Sequence, residues 1–378
     1  MIDDSPDAQL HSKAWKCEAG LVITALLMAD KLVRPQIIAH HEVDCGVTVH
    51  NVAWVPASPR LLAVGTTLKN TGVIQVYNMG RELSKVSEIN MEFGLNCVTF
   101  RGSSLVDRRL AVGDFGGRVY SYDFEEGKEV WGLRGHEVVN CIDGAGGRGS
   151  GAAEIVTGGR EGSVKVWDVR VANRPVVHME PESAKRECWA VTFGNSYNDS
   201  ERMLAAGYDN GDVKMWDLRN MCLHWDTNVG NGVCGLEFDR RDIKMNKLSA
   251  MTLEGGLHVW DCSYMTSDKR MAEVRARVGQ STVWVGRHCP DNREVMLTGS
   301  GAGTLSLYQY KYPEKRVSTD KDGNKAGVPG SLKKLQSQQI SDQPINCLDW
   351  SPDKLGLLVT SAFDQRIRIV IVTKLNLL

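Results

Sequence analysis

The chain has 378 residues, with 45 Lys and Arg against 46 Asp and Glu. That near-balance removes the strong positive field expected of a protein that binds nucleic acid through phosphates, and it argues against dependence on anionic membranes. The length exceeds one small core, leaving two ordinary domains or one large repeat domain, and 38 glycines with 11 prolines suit many turns rather than disorder.

The first residues carry little structural signal. The apolar run Leu21–Ala29 is far short of the ~20 residues needed to span a bilayer. As a signal-peptide core it follows the wrong segment, one bearing Asp3, Asp4 and Asp7, and no A-x-A site comes after it. Residues 1–33 therefore read as an N-terminal extension, either disordered or upstream of a start at Met28. The ten cysteines include no C-x-x-C pair, which leaves zinc-ribbon and thioredoxin-like readings without support and favours a reducing cytosol.

From Arg34 onward one unit recurs. "GVIQVYN", "GRVYSYD", "GSVKVWD", "GDVKMWD", "GGLHVWD", "GTLSLYQ" and a decayed "QRIRIVI" place anchors at Tyr77, Tyr122, Trp167, Trp216, Trp260, Tyr308 and Val370. The steps between them are 45, 45, 49, 44, 48 and 62 residues, against a period of ~40–45 for a WD-repeat blade with loop insertions. Five residues before each anchor stands a glycine in six units, and Gln365 in the seventh, where a tight hairpin calls for positive φ. Alternating residues after the turn and apolar runs before it read as strands. A shorter strand upstream, as in "NCVTF" and "NCLDW", is the innermost, with Asn51, Cys97, Cys141, Ala190, Gly235, Val285 and Cys347 in register and small because the centre is crowded.

The expected fold is all-β: a single seven-bladed WD-repeat β-propeller over residues 34–378. Blade seven supplies three strands of its own, so "RPQIIAH", Arg34–His40, should pair with "IRIVIVT" and close the ring. Residues 312–330, charged and rich in turn formers, read as a mobile surface loop.

Several apparent catalytic motifs fail on context. "GAGGRG", Gly144–Gly149, matches a dinucleotide fingerprint, but a β segment follows where a helix must begin, so it reads as a loop at the edge of blade three. Asp114-Phe115-Gly116 occupies a hairpin slot without the other kinase segments. His136 sits where it could join Thr157 and Trp167 in a hydrogen-bonded link between strands. No catalytic, metal or cofactor site is expected, which leaves recognition surfaces.

The inner-strand starts and the glycine turns point to one face of the ring. The residues two before each turn glycine therefore gather round the channel mouth: Asn70, Phe115, Arg160, Asp209, Leu253, Gly301 and Phe363. Trp189 and Trp284 fall where other blades have Asn96, Asn140 and Asn346. Phe115, Arg160, Trp189, Asp209, Trp284 and Phe363 are the candidate protein-binding set, since aromatic rings mixed with Arg are the composition of interaction hot spots.

The chain from about Leu32 resembles the WD-repeat axonemal dynein assembly factor family, Monad, in "TGVIQVYN", "LAVGDFGGRV", "EIVTGGREGSVKVWDVR", "GYDNGDVKMWDLRNM" and "SPDKLGLLVTSAFDQRIRIVIVTKLN". The resemblance implies a non-enzymatic cytoplasmic adaptor. Its implied partners are the RuvB-like ATPase and TPR co-chaperone complex and prefoldin-like subunits, with dynein heavy chains as clients and one copy of the chain in a larger assembly. A second reading rests on "VWDVR" and "MWDLR": Arg170 and Arg219 match the W-D-x-R box of substrate receptors for cullin-based ubiquitin ligases, and would face the adaptor from the opposite side of the ring.

Overall fold

In the computed structural model, which describes residues 34–378 apart from 124, 148–150, 172–173, 182–185, 241, 320 and 322, seven four-stranded antiparallel sheets follow one another along the chain. Each is a blade, with strands a to d running from the channel outward. In blade 3 these are Val139–Ala145, Glu154–Gly159, Val164–Asp168 and Val177–Met179. The apolar residues of such strands alternate between two faces, so each blade has two faces to bury and no partner within itself. The structure answers with seven apolar cores, each shared by two neighbouring blades. Phe193 and Phe238, fully buried, lie in the cores between blades 3 and 4 and blades 4 and 5.

Ring closure is as expected in kind, with shifted limits. The outer strand of blade 7 is Ile37–Asp44, antiparallel to Arg366–Val372, with Ile37 opposite Val372 and Asp44 opposite Arg366. It begins three residues later than Arg34 because Pro35 has no N–H to offer a ladder. Gln36 makes the last contacts, accepting from the Thr373 N–H and donating to Thr373 Oγ1. A bulge at His40 lets pairing continue to Asp44. Ile37 then enters the core between blades 6 and 7, and Glu42 forms ion pairs with Arg366 and Arg368. Residues 1–33, expected to be an extension, lie outside the described residues.

The b–c turns follow the glycine rule in the middle blades, as at Gly162 with φ 90°. Two turns differ. In blade 1 the left-handed residue is Asn70, φ 60°, and Gly72 is needed for space instead, since a Cβ there would lie 2.1 Å from the Phe93 carbonyl oxygen. In blade 7 Gln365 itself takes φ 64°.

The 312–330 segment, expected as a mobile surface loop, carries a two-stranded hairpin, Val317–Thr319 with Lys325–Gly327. Arg316 pins it to blade 5 through both carboxylate oxygens of Asp261, the acid of that blade's Trp-Asp pair. Tyr312, under the Arg316 guanidinium, also accepts a hydrogen bond at 2.6 Å from the fully buried Lys247, whose ammonium is paired with Asp239.

The motif "GAGGRG" begins inside a strand: Gly144 and Ala145 end the innermost strand of blade 3, the sheet edge that lines the channel, Gly146 and Gly147 leave it, and the next strand starts at Glu154. Gly144 abuts Gly102, where an added Cβ would lie 2.3 Å from the backbone nitrogen. Among the described residues no helix is long and apolar enough to cross a membrane.

Candidate protein-binding rim

The expected rim residues are held at the top mouth by one repeated backbone contact. The N–H groups of Phe115, Arg160, Asp209, Leu253, Gly301 and Phe363 donate to the carbonyls of Gly94, Val138, Glu187, Gly232, Thr282 and Pro344, which lie at the start of the inner strands. Asn70 departs from this pattern and donates to Thr67 within its own turn.

The side chains so placed form three separate clusters. Trp284, on the inner strand of blade 6, meets Phe363 of blade 7 edge to face, with ring centroids 6.0 Å apart. Phe115 packs edge to face on His50 of blade 1 at 5.2 Å, and Phe93 covers Gly116 beside it. Burial holds the His50 imidazole below its usual pKa, so this ring is neutral at physiological pH. Trp189 lies over Gly232 together with Leu253 and the Asp209 carbonyl, a contact that a Cβ at Gly232, 2.7 Å from the indole, would block. The Trp189 Nε1–H donates to Glu187, which also pairs with Arg160 at 3.4 Å. Arg160, Trp189 and Asp209 thus adjoin Glu187, Trp284 and Phe363 meet each other, and Phe115 stands with a different set.

The link foreseen behind this face is present. Thr157 Oγ1 accepts from Trp167 Nε1–H at 2.8 Å and contacts His136 Nε2 at 2.7 Å. His136 Nδ1 meets Glu161. Burial would raise the Glu161 carboxyl, but hydrogen bonds from His136, Ser163 and the Glu137 N–H outweigh it and hold the pKa at about 2. Asp114 accepts the Arg118 N–H at 2.8 Å, the work of a hairpin turn.

The opposite mouth holds a cavity of about 450 Å³ that the sequence reading missed. Its wall includes Asp143, Glu237 and Asp349, one from every second blade, each accepting the backbone N–H of the next blade's inner strand: Phe193, His288 and Trp54. Arg101 lies 3.5 Å from Asp143 and 4.0 Å from Asp349, and Arg287 lies 3.9 Å from Glu237. Burial raises the Asp349 carboxyl against the pull of Arg101. The available signal was a charged residue two after the small register position, in "CID", "GLE", "VGR" and "CLD". Carboxylates that knit adjacent blades together account for it. On this same side Arg170 folds back onto Asp168 through two nitrogens, and Arg219 is exposed with its N–H held by Asp217. Among the described residues no His, Cys, Asp and Glu group is arranged to hold a metal.

Four-stranded blades closed by the chain's own beginning, with Trp-Asp pairs ending the third strands, define a WD-repeat β-propeller. The model of the WD domain, G-beta repeat, matches residues 127–168 and 332–370. Over 350 residues, the chain is 50% identical to Dynein axonemal assembly factor 10 of Homo sapiens, covering 91% of this chain and 98% of the human one. For the protein of that name from Xenopus laevis the identity is 49% over 356 residues, 92% and 99% of the two chains. For that of Chlamydomonas reinhardtii it is 47% over 351 residues, 91% and 98%. The chain belongs to the dynein axonemal assembly factor 10 family.

Proposed function

We propose that this chain is a non-enzymatic scaffold for the assembly of axonemal dynein, and that it holds a protein partner on the rim containing Phe115, Arg160, Trp189, Asp209, Trp284 and Phe363. The observation that carries the reading is the end-to-end match to relatives named for dynein axonemal assembly, across 98–99% of their length. The rim supports it physically: half-exposed rings already packed against neighbouring side chains provide apolar area at little entropic cost. The family resemblance points to the RuvB-like ATPase and TPR complex and prefoldin-like subunits as partners, and to dynein heavy chains as clients. The site of action is the cytoplasm.

The test is affinity purification of the tagged full chain from ciliated cells, quantified against Trp284→Ala with Phe363→Glu. Recovery of co-chaperone subunits should fall at least about fivefold while the variant still unfolds cooperatively, well above the temperature of the assay. Undiminished recovery would remove the rim from the function. A cullin adaptor recovered instead, and lost on Arg170→Ala with Arg219→Ala, would move the function to the opposite face.

A further inference from the structure

The chain's near-neutral total conceals an uneven distribution. In the connectors that build the top face, nine Asp and Glu, among them Glu92, Asp209, Glu254 and Asp342, stand against three basic residues, Lys69, Arg160 and Arg186, among the described residues. Arg160 is already committed to Glu187. The opposite connectors mix both signs, as with Arg170, Arg219, Lys269 and Arg270 beside Glu125, Glu126, Asp268 and Asp353. Acidity therefore coincides with the three aromatic clusters.

Two further atoms at this mouth lack partners. Asn140 Nδ2 and Asp209 Oδ1 are shielded from solvent without a hydrogen bond. In the sister positions, Asn96 and Asn346 donate to carbonyls of the next blade's inner strand, Val139 and Val49. An unmade bond at a buried amide or carboxylate is a cost that a ligand with a donor and an acceptor can recover.

We infer that the rim receives an extended polypeptide segment of net positive charge in which Lys or Arg alternates with large apolar side chains. The inference rests on the rim reading above. The apolar side chains pack on the exposed faces of the clusters at Trp284–Phe363, Trp189–Leu253 and Phe115–Phe93. The cations lie against the carboxylates between them, where face-on contact with an indole adds cation–π attraction. Successive peptide groups offer a carbonyl for Asn140 and an N–H for Asp209. Strand alternation fits this chemistry, because it puts apolar and charged side chains on opposite sides of one extended backbone.

The experiment is selection of a random 12-residue phage-displayed library on the immobilised full chain, followed by synthesis and fluorescent labelling of the enriched peptides. The expected pool is net basic with aromatic or large aliphatic residues. Affinity should fall about tenfold between 50 and 500 mM NaCl, as the Debye length shortens. Glu254→Gln with Asp342→Asn, both exposed, should weaken binding about fivefold, and Phe363→Ala by a similar factor. A neutral or acidic pool that still depends on Phe363 overturns the charge inference and leaves the rim standing. A pool of any charge indifferent to Phe363→Ala, Trp284→Ala and the acidic pair overturns both.

Discussion

Trp284 and Phe363, from adjacent blades and 79 positions apart in the chain, meet edge to face at 6.0 Å on the ring's upper mouth. Trp284 is half-buried and Phe363 is 41% exposed, so the pair is a surface feature anchored in the core. A double-mutant cycle to alanine should give a coupling of about 0.5–1.5 kcal/mol in urea unfolding. Phe363→Ala alone should cost about 1–2 kcal/mol, because it removes the ring contact together with the covered part of the Phe363 surface. A coupling of zero would show that the rings merely adjoin.

Closure depends on a strand over 320 positions from its partner. Ile37→Ala should lower unfolding free energy by about 2–4 kcal/mol, as expected of a buried side chain in a close-packed core. Deleting residues 1–44 should destabilise the chain far more than deleting 1–27, since only the longer cut exposes the Arg366–Val372 edge. Equal melting temperatures for the two truncations would refute the role of the strand.

Acid should loosen blade 3 early. The Glu161 carboxyl titrates at about 2 in the folded chain and near 4.3 when unfolded. Its depressed value means that its contribution, on the order of 2–3 kcal/mol, is complete above pH ~4.3 and is lost as pH falls toward 2. His136, lowered by burial, acts in the same direction from about pH 6.5 downward. Glu161→Gln should therefore flatten the stability profile between pH 5 and 2. A variant with the parent slope would show that the carboxylate carries none of it.

Arg316→Ala should release the 317–327 hairpin from Asp261 while leaving the ring intact. Limited trypsin digestion should then cut after Lys321 or Lys325 several-fold faster, with chemical unfolding changed by less than about 1 kcal/mol. An unchanged cleavage rate would mean that Tyr312 and Lys247 suffice to hold the segment.

The blade count, strand order and turn positions were legible because each is set within a short window. Alternation, a left-handed turn residue and a Trp or Tyr anchor recur at one spacing, and backbone sterics act locally. Even the exceptions were visible in part, since Gln365 stood where glycine was expected, though nothing near Asn70 marked it as the residue that would take the turn in Gly72's place.

By itself the sequence determined a ring of repeated sheets, the need for its beginning to seal its end, and which variable residues would share a mouth. The tertiary structure decided which of those residues touch: Trp284 with Phe363, Phe115 with His50, Trp189 over Gly232. It also decided that a charged insertion lies down on the neighbouring blade, and that carboxylates of alternate blades face the next strand's N–H groups. Those outcomes depend on the rotation between consecutive blades, fixed only when all seven shared cores close at once.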